Sequence, residues 1–595
     1  MSIARSRYLA RHVVRLPILQ SSLAVTLILS GVVGATGARA DDDGFGFGIG
    51  FRPGNLLLSR SVYDNNPNTV IAGTTQLPPN CVAPNCVTAT DGGAYPYVWN
   101  NDAADASFGI TSKILLDQIK PHGDLVNTLE VPNSSGPEHW GPPAKDQVVT
   151  SFPSKSEIAL NLSTDGQVVT FMGYQAPVNA LDVSNSNTPA VVDPTNPVPG
   201  SYARVVVSVD AFGRFSFTKT NAYSGNNGRA AVLNNQHGAD VVYTVGNAGN
   251  GGNPQPNGII LSAGAQILTP SRAPLAAQNP GLPTPVGSFN VTQLGLKADK
   301  TGKDTNFRGL TVFDNVLYTT KGSGSNGINT VYFVDTSGFD STGKPLACPT
   351  GVGLPKAATT LPTTPIFYNA ANLPTLGVTP YNMCVLKGLP TTLAKTSTAF
   401  PFGVWFADAR TLYVTDEGNG TTTFDPVSGK YTAAAAQTTA GLQKWVFDTT
   451  LGSWKLAYTL QAGLNLGVPY TVKNYPTGNN VKTGLPWAPA ADGLRNLTGR
   501  VHRDGKVTIW AITSTVSGNG DTGADPNQLV RITDTLAATS LPAGESFTAV
   551  RTARFGEVLR GISFTPGTDL DRMSDDRDDD RDHDHDRHAD AGDFR

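Results

Sequence analysis

Charge, cysteine and histidine are all scarce in this chain, and each shortage narrows what it can be. Only 15% of the 595 residues are charged and the formal net charge is −3. No global basic field is present to hold nucleic acid, so none is expected as a partner. The eight histidines are few for a catalytic protein of this length. His122, His237 and His502 fall in short polar turns, leaving His139 in PEHWGPP, so a Ser-His-Asp arrangement is poorly supported. A GxSxG elbow, a phosphate loop and HExxH are likewise missing from suitable contexts. Beyond residue 40 no run is apolar enough to cross a bilayer.

The long apolar run that does exist stands at the start. Arg5, Arg7, Arg11 and Arg15 precede LAVTLILSGVVGA, which ends in ARA before DDD. This predicts a secretory signal peptide over residues 1–40, with an uncleaved anchor as the alternative. The mature protein is then expected to be secreted or periplasmic, with no membrane span after cleavage. The segment 569–595 holds twelve Asp and five Arg, net −7, and the leader holds five Arg, net +5. Removing both from −3 leaves −1 for residues 41–568, a near-neutral body. By composition the tail is a disordered polyampholyte, with His583, His585 and His588 as weak ligands for transition metals or simply part of a solvated acidic segment.

Four cysteines form an even count. Cys81 and Cys86 lie in NCVAPNC, while Cys348 and Cys384 share one long loop region, so two local disulfides are expected in an oxidising compartment.

What is abundant is glycine and proline, 63 and 42 residues, between short alternating apolar runs. That favours an all-β chain with a core over a disordered one. The stretch LYTTKGSGSNG (317–327) shows a strand ending abruptly in residues that do not pack, and the pattern recurs. Segments 156–177, 229–252, 308–327, 402–420 and 494–520 each read as a short apolar strand, a polar turn, a second strand rich in Val, Thr and Tyr, and a Gly/Asn loop. Polar turns between alternating runs predict hairpins, and a lone hairpin is marginal in water. Further strands at 202–220, 327–335, 442–461 and 528–536 supply outer edges, making four-stranded antiparallel sheets in series.

The ends complete the count. LRGISFTPG (559–567) matches FRGLTVF as a first strand but has no second strand after it, whereas GNLLLSRSVYDNN (54–66) reads as a second strand with no first. Together with an outer hairpin at 110–131 they make one shared sheet, which closes the ring and removes two exposed edges. The expected fold is a β-propeller of six blades over residues 41–568, with insertions at 176–200, 250–290, 336–400 and 461–490. Seven blades, one hidden in an insertion, is the alternative, and two stacked domains ranks third. Over roughly residues 54–567 this plan resembles secreted six-bladed propellers of the broad lactonase and NHL-like kind. The resemblance rests on the repeat and on no catalytic motif, so it implies fold and little chemistry.

In the resembled fold the loop entering an innermost strand and the loop leaving the second strand lie on one face, around the channel mouth. There the repeat places Arg229, Arg308, Arg495 and Arg560 at strand starts, with Arg60 and Lys321 by the loops after second strands. Glu157, Asp416 and Glu417 are the nearby carboxylates, and adjacent strand residues such as the last two face opposite ways. Guanidinium forks grip carboxylate or phosphate at two points, so the expected partner is an anionic small molecule or a polysaccharide. Tyr63, Tyr174 and Tyr223 are candidate stacking surfaces for sugar rings. The rival for every arginine is a structural tie between blades.

Asn519, Asp521 and Asp525 in GNGDTGADPN are candidate oxygen ligands for calcium, although the full loop pattern is lacking and the alternative is a solvated Asx-turn loop. The leading expectation is ligand binding at the mouth. The rivals are a metal-assisted hydrolase or lactonase or an acidic-polymer lyase with Glu157 or Asp416 as general base, and an extracellular scaffold or adhesin.

Overall fold

A computed structural model describes residues 50–569 apart from 65, 67, 85, 91–108, 135–146, 190–195, 197, 199, 237–238, 248–263, 271–277, 280–281, 284, 288–305, 325–326, 335–351 and 356–382. Six four-stranded antiparallel sheets stand in a ring as a six-bladed β-propeller. Blade two is Asn161–Leu162, Val168–Tyr174, Arg204–Asp210 and Phe215–Thr220 from axis to rim. Blade three is Gly228–Asn234, Val241–Gly246, Ala265–Leu268 and Pro285–Gly287. Blade four is Phe307–Phe313, Val316–Lys321, Thr330–Val334 and Met383–Val385. Blade five is Pro401–Asp408, Thr411–Asp416, Gly441–Asp448 and Ser453–Leu460. Blade six is Ala490–Val501, Lys506–Val516, Gln528–Thr535 and Thr548–Thr552.

Blade one is shared between the chain ends. Glu557–Phe564 is its innermost strand, followed by Leu56–Val62, Thr111–Ile119 and Leu125–Glu130. The register runs antiparallel from Leu56 opposite Phe564 to Val62 opposite Glu557. Asn527 secures this closure from blade six: its Nδ2 donates to Leu559 O at 2.9 Å and its Oδ1 accepts from Leu559 N at 2.8 Å. The innermost strands then touch in sequence around the ring, with the last strand packed on both blade six and blade two.

Side chains alternate faces along each strand, so one strand feeds two neighbouring cores. Leu57 enters the cluster between blades one and two with Phe171 and Val207, whereas Leu56 and Leu58 enter the one between blades one and six with Trp510 and Ile562. Every blade interface has its own apolar cluster of this kind. Removing such a side chain from water contributes about 1.5–3 kcal/mol, so the stability of the ring is distributed over its six seams.

The glycine loops allow the blades to approach. A Cβ at Gly322 would collide with the Pro401 carbonyl oxygen of the next blade, and Gly418 adopts φ +81° against Asp492. One expected strand is shorter than its pattern. Residues 156–160 leave the ladder of blade two, where Ile158 takes φ +51° and its carbonyl accepts from Ser59 Oγ at 2.7 Å. Burial of Ile158 against Leu57 and Ile114 decides this over local strand preference.

Cys81 and Cys86 are joined, with their Cα atoms 5.5 Å apart. Cys384 is also disulfide-bonded, and Cys348 lies outside the described residues. Among the described residues no helix is long and apolar enough to cross a membrane.

Candidate functional site

Arg229 and Arg308 stand second in their innermost strands, Arg560 fourth and Arg495 sixth, and Arg308 and Arg495 meet on Glu417. Arg308 begins blade four, yet its Nη1 donates to Ser156 Oγ in the segment that enters blade two, two blades around the ring. Its Nη2 donates to Ser323 Oγ, its guanidinium carbon lies 5.3 Å from the centre of the Phe402 ring, and its Nε is buried without a partner. A side chain can span those blades only by crossing the mouth of the channel.

Glu417, just past the second strand of blade five, takes a position between the arginines on either side. Its Oε1 is 3.5 Å from Arg308 Nη1 and its Oε2 accepts from Arg495 Nε at 3.1 Å. Burial alone would raise this carboxyl, but Arg308, Arg495 and Lys155 more than offset that and hold it below the usual carboxylate range. Asp416, one residue earlier, turns the other way, as alternation requires. It accepts from Phe400 N at 2.7 Å, Gly418 N at 3.0 Å and Gln443 Nε2 at 3.4 Å. Burial pushes its pKa up to about 7 despite the backbone N–H donors, with Glu417 and Asp492 adding to the rise. Asp492, pushed up to about 6 by burial, holds the glycine loop through Gly420 N at 2.8 Å.

Arg229 gives its Nε to Asn227 Oδ1 at 3.0 Å and its Nη1 to Asn306 Oδ1 and, at 3.4 Å, to Phe307 O. Burial lowers its pKa well below the usual value, and the charge of Arg308 lowers it further. Arg560 donates its Nη2 to Phe152 O and to Gly523 O, the latter at 2.9 Å. Asp521 is raised by burial and drawn back by Lys155, Arg560 and Arg495, which places all four in one electrostatic neighbourhood. Five cations, Lys155, Arg229, Arg308, Arg495 and Arg560, therefore lie within electrostatic reach of one or more of Glu157, Glu417 and Asp521.

Glu157 is filled by its own surroundings. Thr150 Oγ1 at 2.7 Å, Ser151 N at 2.9 Å, Asn227 Nδ2 at 3.2 Å and the Tyr174 hydroxyl all donate to it. That is as many donors as a carboxylate has lone-pair positions, which leaves nothing to accept a substrate proton.

Several expected members of the site lie elsewhere. Arg60 is in the seam between blades one and six, gripped by Asp117 at 2.7 Å and Glu557 at 2.6 Å, with Arg551 also on Asp117. Its two carboxylate partners come from strands on either side of it, which the local sequence does not display. Lys321 is 1% exposed and staples its loop through Ser323 O and Asn329 Oδ1. Tyr63, Tyr174 and Tyr223 are 3%, 1% and 0% exposed, so none offers a face for sugar stacking. Arg204 instead lies over Tyr174, 5.1 Å from its centroid.

The three candidate calcium ligands serve one another. Asn519 Nδ2 donates to Asp525 Oδ1 at 3.2 Å, Asn519 Oδ1 accepts from Asp521 N, and Asp521 Oδ1 accepts from Gly523 N. An amide nitrogen aimed at a carboxylate whose pKa burial lifts to about 7 is the pattern of a hydrogen-bonded loop, unlike the ionised oxygen cage of a calcium site. Among the described residues no group of three His, Cys, Asp or Glu side chains is arranged to hold a metal. His122 pairs with Asp124 in an exposed turn and His502 lies in another; His237, His139 and the histidines of the tail lie outside the described residues.

Lys155, Ser156 and Ser323 were absent from the sequence-based set. Lys155 stands directly beside the Ser156–Glu157 pair, and repeat alignment alone carries no marker for it because no other blade entrance has a lysine there.

No protein-family model matches the chain, and no curated protein matches it. Among solved structures it aligns with Drosophila Semaphorin 1a, extracellular domains 1-2, at 11% identity and a TM-score of 0.22, over 72% of this chain and 83% of that one. A likeness that distant carries no functional argument. Nothing in these comparisons ties the chain to the lactonase or NHL-like proteins whose repeat plan it resembles.

Proposed function

We propose that the channel mouth binds the anionic group of a small molecule or polysaccharide, with Arg308 and Arg495 as the principal contacts and Arg229, Arg560 and Lys155 around them. The observation that supports this reading is the surplus of positive charge at the axis. Arg308 and Arg495 share the single carboxylate of Glu417, and Arg229 is near enough to feel Arg308 as a like charge. A carboxylate or phosphate relieves that repulsion and gives the buried Nε of Arg308 an acceptor. The reading assumes export by the N-terminal segment, with which the Cys81–Cys86 disulfide agrees.

A hydrolase or lyase is the weaker reading. Glu157 is saturated by four donors, and Asp416 is held by two backbone N–H groups and a glutamine. An adhesin would leave the mouth idle, so substitutions there would not alter partner capture.

Calorimetric titration with inorganic phosphate, gluconate and polygalacturonate tests the proposal. At least one is expected to bind the wild type in a salt-sensitive manner, and R308A/R495A is expected to lose binding while keeping its β-sheet circular dichroism. Equal binding by the folded double variant rejects the assignment.

A further inference from the structure

Away from the mouth, blades five and six are joined by a lysine and an aspartate with no solvent exposure. Lys444 Nζ lies 3.0 Å from Asp534 Oδ2, and both side chains are completely buried. Two tyrosines of blade five close over the pair. Tyr413 donates to Asp534 Oδ2 and Tyr458 donates to Oδ1 at 2.8 Å, while Nζ sits 5.8 and 5.2 Å from the centres of their rings. Leu442, Val530 and Ile532 belong to the same apolar cluster as these rings.

A second carboxyl stands beside the first. Glu545 accepts from Thr535 Oγ1 at 3.1 Å through Oε1, and its carboxyl shares a side-chain hydrogen bond with Asp534. Burial and then the Asp534 carboxyl push Glu545 up to about 7, so it holds a proton more tightly than an ordinary carboxyl does. Burial lowers Lys444, partly offset by Asp534, which brings the free amine closer to reach. A simple ion pair needs one carboxylate. This site has an amine and a carboxyl held away from water, donors on both carboxyl oxygens and a second carboxyl at its half-buried edge.

We propose that Lys444 and Asp534 condense into an intramolecular amide that bolts blade five to blade six, with Glu545 carrying the proton. The Nζ lone pair attacks Asp534 Cγ, forming the Nζ–Cγ bond. Tyr458, on Oδ1, holds the developing oxyanion, and Tyr413, on Oδ2, donates to the oxygen that leaves. The Cγ–Oδ bond then breaks, and that oxygen departs as water with two of the three ammonium protons, one relayed through Glu545, which ends as it began. The net change is ammonium plus carboxylate to amide plus water, with no oxidant, reductant or activating group. Fixed proximity supplies the encounter, and replacing two buried charges by one neutral amide favours the product in a dry site.

Peptide-level mass spectrometry of the unfolded, reduced full chain tests this. The expected result is a branched peptide containing Lys444 and Asp534 that is lighter by one water than its two segments. In E545Q, which keeps size and packing, that peptide is expected to be replaced by the two separate ones while circular dichroism is unchanged. Wild-type protein in which Lys444 acetylates freely after unfolding overturns the proposal, as does a water loss located at any other pair. A cross-link that persists in E545Q overturns the role given to Glu545.

Discussion

Glu417 Oε2 accepts from Arg495 Nε at 3.1 Å, and through this contact blade five holds a guanidinium of blade six at the channel axis. Because Oε1 of the same carboxylate faces Arg308, one negative charge balances two cations from opposite sides. Removing it leaves both uncompensated in a site where the three side chains are only about a tenth exposed. Glu417→Gln is expected to lower unfolding free energy by about 3–5 kcal/mol. Added inorganic phosphate is expected to raise the melting temperature of E417Q more than that of the wild type. Equal shifts would show that the arginines do not recruit an anion.

Closure of the ring depends on Asn527, whose amide pairs with both backbone groups of Leu559 and also donates to Thr513 O at 3.0 Å. Asn527→Ala strands a buried N–H and C=O on the last strand. A loss of about 2–4 kcal/mol in denaturant unfolding is expected, with faster proteolysis near residues 54–62. Asn527→Asp, which retains the acceptor only, should fall between the two.

The pH dependence should run against the common trend for acidic groups. Burial raises Asp525 and Asp416 to about 7 and Asp492 to about 6 in the folded protein. Their unfolded values are near 4, so between pH 4 and 7 the folded state binds more protons than the unfolded state. Their contribution is full below pH 4 and is lost as pH rises through 6–7. Melting temperature is expected to fall over that window, and Asp525→Asn to flatten the slope. A wild-type curve that climbs from pH 4 to 7 would contradict this assignment.

Tyr174→Phe removes a buried hydroxyl donor from Glu157 and leaves the ring beneath Arg204. The expected cost is about 1–3 kcal/mol, measured by urea titration with an unchanged m-value. Loss of phosphate affinity in the same variant, without loss of stability, would instead place Tyr174 in the binding surface.

The architecture was largely legible because its signals are local. LTVFDNVLYT carries its own alternation and turn, and the strand at 559–567 announces by its missing partner that the chain must close on residues 54–62. The repeat also assigns Arg229, Arg308, Arg495 and Arg560 to innermost strands, where they lie, although at the second, second, sixth and fourth positions rather than all at the start. Arg60 and the tyrosines were misplaced because a side chain's direction depends on which seam its strand face adjoins. Arg60 points toward Asp117 and Glu557, which are 57 and 497 residues away.

Alternation, turn chemistry and the incomplete terminal repeats determined by themselves that this chain forms antiparallel sheets in series closed through its ends, because each depends on neighbours a few residues apart or on simple counting; the ring decided for six blades over seven. Only the ring decided that Arg308 reaches across to Ser156, that Glu417 sits between two arginines, and that Lys444 meets Asp534 in a dry seam. Those contacts join blades remote in the chain. Their geometry follows from the rotation between sheets, which no short stretch of residues encodes.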